Sequence, residues 1–101
     1  MSKEIADFSV KSNLQVAAEI IYGDREKTHG SPDKNLKTIA TYWSTHIKQS
    51  HNIDMTLTMD DVCAMMIFLK LARIGSNPNH QDSWIDIAGY VGLQDRCSNG
   101  T

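Results

Sequence analysis

An all-α fold, a compact bundle of about four helices with a central apolar third helix, is what this sequence predicts. Three observations carry it. Apolar residues recur three and four apart in four separate stretches, no stretch alternates apolar with polar as a strand does, and each stretch is bracketed by helix start or stop signals. At 101 residues, with 41% hydrophobic and 22% charged side chains, the chain has the size and make-up of one soluble domain. The organisation expected is a flexible N-terminal arm over residues 1–11, a helical domain over 12–94 and a disordered polar tail over 95–101.

The first helix opens at Ser12 or Asn13, either of which can cap, and carries Leu14, Ala17, Ala18 and Ile21 before Gly23 ends it. Residues 24–31 read as a loop. The second helix begins at Ser31-Pro32, because a serine oxygen can accept an orphan amide and proline has no amide to leave orphaned. Its stripe is Leu36, Ile39, Ala40, Trp43 and Ile47, and it runs to about Gln49. Thr58-Met59-Asp60-Asp61 has the spacing of a capping box with Asp as its acid, so the third helix starts there. Between Val62 and Ile74 that helix is apolar on nearly every side, interrupted only by Lys70 and Arg73, with Gly75 and Pro78 as stops. A helix that is apolar all round must be covered all round, which predicts a homo-oligomer. The last helix starts at Asp82 or Ser83, with Ser83 and Asp86 at capping-box spacing, and carries Trp84, Ile85, Ile87, Ala88, Val91 and Leu93. Trp43, Trp84 and Tyr90 are read as core.

Composition excludes several functions. Ten Lys and Arg against 12 Asp and Glu give a net charge of −2 with no cationic run, which disfavours a nucleic-acid partner. No apolar run approaches the ~20 residues of a membrane span, and no signal segment opens the chain, so the expected compartment is a reducing cytoplasm and no membrane partner is expected. Of the two cysteines, Cys63 is expected in the core and Cys97 as a free surface thiol. Nothing supports a catalytic Cys-His or Ser-His-Asp set, so no catalytic residue is assigned.

The chemistry converges on the last third of the chain. Lys70 and Arg73 lie three apart, so a helix brings both cations to one side, and Asp82 and Asp86, four apart, do the same for two carboxylates. Cations in a greasy helix cost desolvation free energy unless they reach water or meet an anion. Snorkelling, or for Arg73 a contact with the last carbonyls of its own helix, is one reading. A phosphate clamp is the other, for which arginine's planar fork is suited. Arg25, Lys27 and His29, together with the amide-rich helix start at Ser31 to Asp33, could add to an anion site. Asp82 and Asp86, with His80, are candidate ligands for magnesium, but an internal salt bridge from one of those carboxylates to Lys70 or Arg73 competes with that reading.

The order GDREKTHGSPDKN, IATYWS, DDVCAMMIFLKLARI and NPNHQDSWIDIAGY resembles an uncharacterised family of small phage-encoded all-helical proteins, over about Leu14 to Leu93. On this chain the shared pattern falls on Arg25, His29, Gly30, Trp43, Asp61, Lys70 and Arg73. It continues through Asn77, His80, Asp82, Asp86 and Tyr90, with His29 standing where tyrosine is commoner. The resemblance extends distantly to MazG-like nucleotide pyrophosphohydrolases, whose Glu-Glu-x-x-Glu helix is missing here: Glu19 stands alone. It therefore implies an infected bacterial host as the setting and a nucleotide or other phosphorylated small molecule as partner. The reading preferred is a non-enzymatic binder that uses Arg25, His29, Lys70, Arg73, Asn77 and His80 to sequester a host-defence signal. The alternatives are a metal-dependent hydrolase with Asp82 and Asp86 on magnesium, or a protein that inhibits a host defence complex.

Overall fold

The computed structural model describes residues 12–22 and 31–98, which fold as four helices: α1 (Asn13–Tyr22), α2 (Pro32–His51), α3 (Met59–Ser76) and α4 (Gln81–Ser98). Arg25, His29 and the N-terminal arm lie outside the described residues. The helix starts follow from local chemistry. Ser12 and Gln15 form a reciprocal cap, the Gln15 amide donating to Ser12 Oγ at 3.1 Å and the Ser12 amide to Gln15 Oε1 at 2.8 Å. Thr58 and Asp61 close the expected capping box: the Asp61 amide donates to Thr58 Oγ1 at 3.3 Å and the Thr58 amide to Asp61 Oδ2 at 2.8 Å.

Two starts differ from the sequence reading. Ser31 does precede the first turn of α2, but its side chain makes no capping hydrogen bond; proline's fixed backbone angle and the 3.0 Å bond from the Asn35 amide to the Ser31 carbonyl set that turn. At α4 the capping side chain is neither Asp82 nor Ser83 but His80, whose Nδ1 accepts from the Ser83 amide at 3.2 Å. Ser83 is instead fully buried. The far end of α2 reaches His51 and stops at Asn52, whose left-handed backbone (φ 54°) lets its amide close on the Lys48 carbonyl at 2.9 Å.

The core is Leu36 and Ala40 of α2 against Val62 and Cys63 of α3, flanked by Ile39, Trp43, Leu57, Met66, Tyr90 and Leu93. Leu57 is tied across by its amide, which donates to Ser44 Oγ at 2.8 Å. On the other side α1 packs on α4 through Ala17 and Ile21, and α4 touches all three other helices. It continues to Ser98, four residues past Gln94, because its last turns are anchored: Arg96 donates to the Ile21 carbonyl at 2.9 Å and lies 5.4 Å from the Tyr22 ring. Cys97, expected at the surface, packs against the core cluster. Neither cysteine is in a disulfide, and burial, followed by the nearby Cys97 and Asp60, pushes the Cys63 thiol up to about 11.

The third helix buries only part of its apolar surface. Val62 and Cys63 face inward, whereas Met65, Phe68, Leu69 and Leu71 are exposed, Phe68 to 70%. Trp84 is also largely at the surface, where its Nε1 donates to the Pro78 carbonyl at 3.2 Å and pins the connection between α3 and α4. Among the described residues, no helix is long and apolar enough to cross a membrane.

Candidate functional site

The two cations of α3 end in different surroundings. Lys70 points toward α4, where its Nζ meets Asp86 Oδ2 at 2.9 Å with only 14% of the lysine side chain exposed. This is the internal pair the spacing allowed. It lies in a cleft of about 240 Å³ between α1, α3 and α4, walled by Ile20, Ile21, Ile85 and Leu93 and bordered by Gly89 and Tyr90.

Arg73, one turn on, opens into a second and wider cleft of about 500 Å³ at the junction of α3 and α4, shared with Leu69, Ala72, Ser76, Asn77 and His80. Among the described residues nothing pairs with its guanidinium. Asn77 caps α3 through its backbone, the amide donating to the Arg73 carbonyl at 2.8 Å, which leaves its side-chain amide for the cleft. His80 is fixed from behind. The Ser83 amide donates to Nδ1, which makes Nδ1 the acceptor, so the Ser83 hydroxyl is the donor in their 2.7 Å contact and the ring proton belongs on Nε2. Arginine, asparagine and histidine therefore offer N–H groups around an apolar patch, where the negative end of the α3 dipole meets the positive end of that of α4.

Of the residues singled out in the sequence, the structure thus gathers Arg73, Asn77 and His80, and separates Lys70 from them by giving it to Asp86. Asp82 is exposed in the first turn of α4. Among the described residues no three of His, Cys, Asp and Glu come together as a metal site. The sequence reading missed the α1 wall of the Lys70 cleft. Its signal was the pair Gly89 and Gly92 inside an otherwise regular helix, since glycine there costs ~1 kcal/mol relative to alanine.

Residues 12–98 match the family model described as a domain of unknown function, DUF6378. The chain belongs to that family. It is 40% identical over 85 residues to the Gene 55 protein of Mycobacterium phage L5, covering 84% of this chain and 51% of the relative. The Gene 55 protein of Mycobacterium phage D29 is 35% identical over 86 residues, covering 85% of this chain and 53% of the relative. The chain thus spans about half the length of these two relatives, both of them phage proteins. No solved structure matches it significantly.

Proposed function

We propose that this protein binds a nucleotide or nucleotide-derived signalling molecule without transforming it, holding the phosphate at the cleft between the end of α3 and the start of α4. The observation that carries the reading is the Arg73 guanidinium, which is unpaired among the described residues and stands beside Asn77 and His80. A guanidinium binds phosphate through two parallel charge-assisted hydrogen bonds, and the cleft falls in the roughly 300–1,000 Å³ range of small-ligand sites. Arg25 and His29 belong to this proposal from the sequence alone. The phage relatives support a setting in an infected cell, where holding such a molecule would silence a host-defence signal. The MazG-like hydrolase reading needs free carboxylates around a metal, whereas Asp86 is engaged by Lys70.

The test is incubation with linear and cyclic nucleotides, with and without magnesium, followed by denaturation and analysis of what is released. A binder raises the melting temperature and returns its ligand intact; products that appear only with magnesium would establish the hydrolase instead.

The exposed Met65, Phe68 and Leu71, spaced three apart along α3, favour a second feature of the same proposal, that copies of the chain associate through this helix. Light scattering is expected to give a multiple of the 11.3 kDa chain mass at micromolar concentration; a monomer would remove the claim.

A further inference from the structure

Helix α4 carries two glycines three residues apart, and only one of them is explained by packing. At Gly92 an ideal Cβ would sit 2.6 Å from Ile21 Cδ1, the far end of a side chain of α1, so any larger residue there obliges Ile21 to shift. At Gly89, in the middle of the same helix, a Cβ would meet nothing within 4 Å. Packing gives no reason for the helix to forgo alanine there. What borders Gly89 is the cleft that holds Lys70 and Asp86.

That cleft has a definite chemistry. The 2.9 Å Lys70–Asp86 pair is neutral as a unit, so it offers no net attraction to a phosphate. Instead it presents a donor beside an acceptor: an ammonium with three N–H bonds, one of them spent on Asp86, and a carboxylate with lone pairs to spare. The remaining wall is aliphatic, from Ile20, Ile21, Ile85 and Leu93, with the Tyr90 ring at one side. A complementary ligand has apolar surface for the aliphatic wall and carries a hydrogen-bond acceptor next to a donor on one edge. Nucleobases have such edges. At about 240 Å³ the cleft is smaller than the ~300–1,000 Å³ of sites that enclose drug-sized molecules, so it suits a single base and excludes a whole dinucleotide.

We propose that the cleft between α1, α3 and α4 is a nucleobase site, in which the Lys70–Asp86 pair reads the edge of the base and Gly89 leaves room for its ring. The proposal goes beyond the phosphate reading at Arg73 and is tested with ligands that carry no phosphate. Calorimetric titration of the full chain with guanosine, adenosine, cytidine and uridine, with ribose as the sugar control, is expected to show binding of at least one nucleoside and none of ribose. Gly89→Ala adds a methyl group to the cleft in a helix that gains from alanine. It should therefore melt above the wild type without ligand yet bind that nucleoside at least tenfold more weakly. Amide NMR shifts in the wild type, followed during the same titration, should move at Ala17, Lys70, Gly89 and Tyr90, a readout independent of how the variant folds. No nucleoside binding at millimolar concentration, equal affinity in Gly89→Ala, or shifts confined to residues away from this cleft would each overturn the proposal. In none of those cases is the Arg73 phosphate site affected, because its own test uses phosphorylated ligands.

Discussion

Lys70 and Arg73 are the same kind of residue in the sequence, one helical turn apart on the same apolar helix, and the fold treats them oppositely. Lys70 is drawn under α4 and neutralised by Asp86 at 2.9 Å, whereas Arg73 is left at the lip of a cleft with no partner among the described residues. The difference is made by what stands opposite. Asp86 sits on the face of α4 that packs against α3, while Asp82, four residues earlier, is exposed in the first turn. A cation with an anion in reach belongs to the architecture of the bundle. One without such a partner retains its full capacity to bind a ligand.

The largest effect that sharpens this contrast is expected at Asp86. Asp86→Ala leaves a mostly covered ammonium without its counter-charge, and breaking a fully buried pair this way costs about 3–5 kcal/mol. Because the Asp86 side chain is 41% exposed, solvent screening reduces the expected loss to about 1–2 kcal/mol. In a domain of this size that lowers the melting midpoint by roughly 5–15 °C. A midpoint unchanged from the wild type would mean that Lys70 is as free as Arg73, and the contrast would collapse.

A smaller effect tests the core under α3 while touching neither cation. The Cys63 thiol is held neutral by burial, with its folded value raised to about 11, so the folded state keeps a proton that the unfolded chain gives up. Stability from this group is complete below the ordinary thiol value near 9 and declines as pH rises from there toward 11. Melting curves from pH 8 to 11 should therefore fall for the wild type and fall less for Cys63→Ala, with the Arg73→Met variant following the wild type. In the same window Cys97, which is only half-buried, should be alkylated before Cys63. The reverse order of labelling would contradict the burial.

Much of this fold was legible because its signals are local. The Thr58–Asp61 capping box, the Pro32 start and the 3.6-residue stripe through Leu36 and Ala40 depend on residues a few positions apart. The end of α4 was not legible, because Arg96 and Cys97 are held by Ile21 and the core, contacts that only the tertiary fold creates. The cap of α4 was misread for a related reason: histidine is a poor general predictor of a helix start, and His80 serves here because the buried Ser83 supplies both donors. In the candidate sites, spacing could show that Lys70 and Arg73 share a helix. It could not show which of them would meet Asp86, since that depends on the register between two helices, nor that Ile20 and Ile21, about 50 residues earlier, would wall the lysine's cleft.

The measurement closest to the central claim is thermal melting of Arg73→Met beside the wild type, each alone and with the nucleotide that gives the wild type its largest shift. Methionine keeps the helix apolar and removes a charge-assisted contact worth ~1.5–3 kcal/mol, or roughly ten- to hundred-fold in affinity. The account predicts an unchanged midpoint without ligand and a lost or much reduced ligand-induced shift. A lowered midpoint without ligand, with the nucleotide shift intact, would show that Arg73 serves the fold as Lys70 does and that the phosphate is held elsewhere.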